Sequence, residues 1–200
     1  MVRKKNKLVY GIGINDADYQ VQISGVVNGK KTKVWVCPFY YRWTRMLSRV
    51  SQKWIELHPS YKDCSVCDEW LTFSNFKSWM EQQDWEGKHL DKDLLVEGNK
   101  IYSPDTCIFV DKKINLFVVD NARCRGNYMV GVTLPKQSKR YMSKCSNPFT
   151  GIDEYLGYFN TELEAHLAWK KRKHEHACQL AESELVSDPR LAEALKVRYV

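Results

Sequence analysis

The sequence predicts an α+β protein assembled from several small sheets and separate helices, and three observations predict it. A hairpin pattern opens the chain, a strand–loop–strand–helix order fills its middle, and residues 127–174 read as a three-stranded antiparallel sheet packed on one helix. A sheet of that size buries little, so its basic face is expected to meet something negative.

The first element is VQISGVVNGKKTKVWVCP, a strand or hairpin with Asn28-Gly29 as the turn signal, alternation at Val34 and Val36, and Pro38 as its end. From Phe39 to about Leu57, Tyr40, Trp43, Met46, Leu47, Val50 and Trp54 recur at helical spacing. That predicts one helix, with Arg42, Arg45, Arg49 and Lys53 interleaved as a basic face suited to phosphate. His58-Pro59 breaks it. Ser65 to Cys67 reads as a short strand, and Asp68 to Gln82 as a helix whose stripe is Trp70, Phe73, Phe76, Trp79 and Met80.

Two apolar pieces follow between Gly87 and Phe109, HLDKDLLV and KIYSPDTCIFV, separated by Glu97-Gly98-Asn99, and a helix starts at Asp111 to Phe117. A basic loop, residues 121–127, leads to the C-terminal sheet. Thr161 and Glu164 form a capping box at the start of the helix behind that sheet, with Leu163, Ala165, Leu167, Ala168 and Trp169 expected in its core. After Asp188-Pro189 comes a short separate helix. These breaks divide the chain into 1–60, 61–120, 121–186 and 187–200.

Charge is distributed unevenly along the 200 residues, whose formal net charge is +7. Residues 1–60 carry 11 Lys and Arg against 3 Asp and Glu, residues 61–122 carry 7 against 12, and residues 123–176 carry 10 against 5. Two basic blocks thus flank an acidic one. Carboxylates repel phosphate, so this layout suits a nucleic-acid partner best if the acidic block holds a divalent cation. No apolar run approaches the roughly 18 to 20 residues of a membrane span, and the start lacks the apolar core of a signal peptide. A soluble, cytoplasmic protein with no membrane partner is expected. Seven cysteines with no export signal suggest reduced thiols. Cys64 and Cys67 form a CxxC, but no second pair at finger spacing follows and Cys107 and Cys124 would have to be recruited, so structural zinc is not expected.

The stretch VCDEWLTFSNFKSWM, then LDKD, YSPDTCIFV and Ile114-Asn115, resembles the HNH proteins of bacteriophage genomes, many of them homing-type endonucleases. The opening GIGINDADY and CPFYYRWTRML resemble the same group, which implies a phage protein working in the host bacterial cytoplasm. The resemblance spans roughly residues 61–116. It implies a ββα-metal unit in which Asp91 and Asn115 hold one Mg²⁺ or Mn²⁺ ion, and a base activates water against a phosphodiester. Lys92 stands where the HNH pattern has its catalytic His, and Thr106 where it has the middle Asn. A lysine acts as base only when its pKa is driven down by several units. His89, on the same side of an extended strand as Asp91, is the other candidate, and the base stays open between them.

The C-terminal segment resembles the plant ethylene-response-factor type of DNA-binding domain, through Val130-Gly131-Val132, the basic run Lys136 to Lys144, Tyr155-Leu156-Gly157-Tyr158-Phe159 and the helix from Thr161 to Trp169. The resemblance implies that the sheet enters the major groove of double-stranded DNA, with Arg123, Arg125, Lys136, Lys139, Arg140, Tyr141 and Lys144 as contacts. The run Lys170 to Lys173 circles its helix, so at most half of it can face DNA. The expected function is a phage-type, metal-dependent HNH endonuclease that nicks or cuts double-stranded DNA and is targeted by the C-terminal domain; the alternative is a DNA-binding regulator or counter-defence factor on a degenerate HNH scaffold, and a protein-interaction module is a third.

Overall fold

The structure, a computed structural model, describes residues 7–119 and 127–200. It is α+β, and the chain divides into two compact units, Met1–Phe109 and Val110–Val200.

In the first unit, β1 (Gln22–Val27) and β2 (Lys30–Val36) form an antiparallel hairpin. Its turn is Asn28-Gly29, both at positive φ, 52° and 73°, the left-handed pair that a tight hairpin turn demands. α1 (Pro38–Arg49) begins at a proline. The single helix expected to Leu57 is instead two, because Ser51 leaves the helical region and its hydroxyl donates to the Ser48 carbonyl (2.6 Å). α2 is Gln52–Leu57.

The strand expected near Ser65 is β3 (Ser65–Val66). The helix expected from Asp68 is a 3₁₀ turn, Asp68–Leu71, then α3 (Phe73–Met80), with extended Thr72 between. A tertiary pairing causes this break: the Ile14 amide donates to Leu71 O (2.7 Å) and the Phe73 amide to Ile14 O (3.0 Å). β4 (His89–Asp91) pairs with β6 (Ile108–Val110), while β5 (Ile101–Tyr102) runs parallel to β3. KIYSPDTCIFV is thus two strands, β5 and β6, and Thr106 lies in the turn that separates them. The Thr106 hydroxyl closes that turn on Ile101 O at 2.8 Å.

An aromatic core holds this unit. Trp43, Met46 and Leu47 of α1 pack with Trp70, Phe73, Phe76 and Met80, all nearly inaccessible to solvent. The fully buried Trp43 indole finds a partner, donating to Trp70 O at 2.7 Å. The glycine-rich opening is bound to the same core, with Asp16 accepting the Ser74 amide at 2.9 Å at the start of α3.

In the second unit, α4 (Lys112–Val118) is capped by Asp111. β7 (Val132–Thr133), β8 (Tyr141–Ser146) and β9 (Asp153–Phe159) form the expected three-stranded antiparallel sheet. Behind it lies α5 (Glu162–Ala181), with the Thr161–Glu164 capping box in place. α6 (Pro189–Val197) is the expected final helix, capped by Asp188. Val132, Cys145, Ala165, His176, Ala177, Leu180, Leu191 and Leu195 are buried. Leu163 and Leu167 are not in this core, being 56% and 53% exposed, four residues apart on the free side of α5. No helix of the described residues is long and apolar enough to cross a membrane.

A β-carbon at Gly13 would collide with Leu47 and Trp43 at the centre of the aromatic core. Gly13→Ala is therefore expected to destabilise the protein by about 1–3 kcal/mol, the usual range for overpacking. Urea denaturation measures it, and an unchanged midpoint would mean that the core has room that the packing denies.

Candidate functional site

Two surfaces carry the residues singled out by sequence. The first surrounds β4. Asp91 is half-buried, and its Oδ1 accepts the backbone amides of Asp93 (3.0 Å) and Leu94 (2.8 Å), which folds the loop after the strand. Burial and then the adjoining Asp93 carboxylate push the Asp91 carboxyl above its ordinary pKa. Such a carboxylate gains from a nearby cation, and α1 supplies one. Arg49, expected on a solvent-facing basic stripe, is instead half-buried, and its Nη1 donates to Tyr102 Oη at 3.5 Å. Burial pulls its pKa down, but the surrounding Tyr102, Tyr61 and Asp91 outweigh that and hold the guanidinium charged.

Lys92 is only 7% exposed. Its Nζ donates to Asp93 Oδ2 (2.9 Å) and Asn99 O (3.2 Å) and lies 5.8 and 5.9 Å from the Tyr61 and Tyr102 rings. Burial alone would lower its pKa, but the hydrogen bond and charge of Asp93 outweigh it and raise the pKa above its ordinary value. An amine held protonated has no lone pair with which to take a proton. The base role therefore does not fit Lys92 in this state, and His89, half-buried on the same strand, is the other candidate.

Asn115 lies on α4, in the second unit. Among the described residues, no group of three or more His, Cys, Asp or Glu side chains is placed to hold a metal ion. Asp91 Oδ2 stands outside the two bonds that Oδ1 makes, and a hard, water-rich ion such as Mg²⁺ is the kind that would use a single carboxylate oxygen together with waters. Cys107, behind this segment, is a buried thiol pushed up to about 12, mainly by burial. The six described cysteines are free.

The second surface is the face of the β7–β8–β9 sheet turned away from α5. On β8, Ser143 and Cys145 are buried toward the helix, so Met142, Lys144 and Ser146 alternate outward. Cross-strand pairing sets Lys144 opposite Tyr155 and Met142 opposite Tyr158 and Thr133. A register shift opposite Ser143/Lys144 adds a residue to β9, so Tyr155 and Tyr158, three apart in sequence, share this face. Their rings meet edge to face at 5.8 Å, and both are exposed. Arg140 is exposed and tethered, its Nη2 donating to Tyr158 O at 2.7 Å. Lys136 and Lys139 are exposed in the loop before β8. Tyr141 alternates to the helix side, edge to face with Tyr128 at 5.8 Å. Arg45 is exposed on α1 and Arg42 half-buried. Arg123 and Arg125 lie outside the described residues. Sequence reasoning missed Tyr155 and Tyr158 as outer-face residues because simple alternation breaks at the bulge; the signal is Gly157, at φ 129°.

The basic run of α5 is largely engaged within its own unit. Arg172 donates to Glu154 (2.6 Å) and Glu175 (2.7 Å), and His176, fully buried, lies 3.2 Å from Glu154. Lys173 points into a cage, its Nζ 3.5 Å from the centre of the Phe117 ring and 2.7 Å from Phe117 O, and burial lowers its pKa to about 8. Only Lys171 of the four is fully exposed. Compared with known protein families, curated proteins and solved structures, the chain matches none.

The hydrogen bonds from Arg172 and then Asn147 lower the Glu154 pKa from 4.5 to about 2. The folded state therefore binds this proton less readily than the unfolded state, so the stabilisation is complete above about pH 4.5 and is lost as pH falls toward 2. Glu154→Gln is expected to flatten that part of the acid-unfolding curve, measured by circular dichroism. A variant curve parallel to the wild type over this range would remove Glu154 from the account.

Proposed function

We propose that this chain binds double-stranded DNA through the outer face of its C-terminal sheet. The observation that carries the reading is the joint exposure of Lys144, Arg140, Tyr155 and Tyr158 on one side of a short sheet whose other side is filled by α5. A two- or three-stranded surface of this kind enters the major groove, where Arg and Lys pair with guanine and phosphate. Its aromatic rings pack against sugar and base edges. Lys136 and Lys139 extend the charge along the loop that leads into it.

A second reading makes the chain a phage-type HNH endonuclease addressed by that sheet. It is favoured by the half-buried Asp91 beside Asp93, a pair of carboxylates that a divalent ion would relieve. Asp91 would be the ligand that the first unit gives the ion, which would stabilise charge on the scissile phosphate. Arg49 would hold a phosphate near Asp91, and His89 would take the proton of the attacking water. Against this reading stands the protonated Lys92, which favours a degenerate scaffold serving as regulator or counter-defence factor.

Fluorescence anisotropy with duplex DNA tests the binding. Lys144→Ala is expected to reduce the salt dependence by about 0.9 in log–log slope if it meets phosphate, or to relax base preference by about 1–3 kcal/mol if it meets a base. Wild-type affinity in both respects would sink the sheet as the binding surface. Plasmid nicking with Mg²⁺ or Mn²⁺ tests the second reading: Asp91→Ala should abolish it, and His89→Ala should slow it by about 10²–10⁴-fold. Intact plasmid with tight binding selects the degenerate scaffold.

A further inference from the structure

The β1–β2 hairpin belongs to neither surface described above. Its root is fixed: Val21 and Cys37 are both core residues, and the Cys37 amide donates to Val21 O at 2.9 Å. Beyond the root, every residue from Gln22 to Trp35 is exposed except Gly25, which is half-buried. The hairpin is a sheet by itself, with no third strand among the described residues. A solitary hairpin is marginally stable in water and usually lies against something.

The register sets which side chains such a partner would meet. Ser24 faces Lys33 and Val26 faces Lys31, with Gln22 on the same side, so one face carries two lysines among Gln22, Ser24 and the exposed Val26. The opposite face carries Ile23, Val27 and Trp35, with Lys30 paired to Val27 beside the turn. From Tyr19 to Cys37 there are three lysines, Lys30, Lys31 and Lys33, and no Asp, Glu or Arg. An arm with only positive charge, gathered on one strand at its tip, complements a polyanion and is repelled by no carboxylate of its own. Two strands of six and seven residues make a ribbon about 20 Å long, of a width the major groove admits.

We infer that the β1–β2 hairpin is a second DNA-contacting ribbon, laying Lys31 and Lys33 along the phosphates with Lys30 at the tip. The inference rests on the proposed DNA binding and adds to it a separate surface in the first unit.

The test compares the salt dependence of duplex binding for the full chain and for a variant with Lys30→Ala, Lys31→Ala and Lys33→Ala. These side chains are exposed, so the melting temperature should not change. The log–log slope should fall by about 2.7, the counterions of three phosphates, and the corresponding triple Lys→Arg variant should keep it. An unchanged slope in the alanine variant, with wild-type binding intact and Lys144→Ala still impaired, overturns the ribbon alone. Absence of wild-type binding at low salt overturns both readings. A concentration-dependent oligomer dispersed by Trp35→Ser, with the slope untouched by lysine removal, assigns the hairpin to self-association and also overturns the ribbon.

Discussion

Sheets of two or three strands cannot bury themselves, and the organisation of this chain follows from that shortage. In the second unit α5 supplies the missing layer: it covers one face of the β7–β8–β9 sheet and leaves the other to solvent. The first unit has even smaller sheets, so its core is aromatic and helical, and strands are attached to it rather than forming it. The buried bond from the Trp43 indole to Trp70 O ties α1 to the turn before α3, and it is around this joint that Phe73, Phe76 and Met80 pack.

The segment around β4 shows how one sequence position can have a structural and a chemical reading at once. Asp91 shapes its loop through two backbone amides, the ordinary use of an aspartate at a strand end. The same carboxylate is half-buried next to Asp93, and burial and that neighbour push it above its ordinary pKa, a cost that a nearby cation would relieve. Lys92 is the neighbour that separates the readings. Its ammonium satisfies Asp93 and Asn99 O from within, so part of the charge that a metal would otherwise neutralise is already neutralised by the chain itself.

Much of the fold was legible in the sequence, and the misses share a cause. The Asn28-Gly29 turn, the Thr161–Glu164 capping box and the helix start after Asp188-Pro189 are local devices, and local spacing reveals them. Thr72, pulled out of a helical run by pairing with Ile14 some sixty residues earlier, is a tertiary effect that periodicity cannot carry. Leu163 and Leu167 read as core because apolar residues on a helix usually are, but alanines and His176 line the side that meets the sheet. At the candidate sites the residue types were legible and their partners were not. Arg49 reads as one more basic residue on α1 until the fold places it with Tyr102, and Tyr155 and Tyr158 share a face only because of a bulge.

The fate of Arg172 and Lys173 changes what the charge of the C-terminal segment means. Formal charge counts every lysine and arginine equally, but a field reaches solvent only from groups that are neither paired nor enclosed. Arg172 is matched by Glu154 and Glu175, and Lys173 is enclosed by Phe117 with its proton already weakly held. The electrostatic reach of this unit is therefore shorter than its composition suggests, because two of the four charges of the α5 run are spent within it. For this unit, net charge is thus a poor measure of the field at its surface, since paired and enclosed cations add to the count and little to the field.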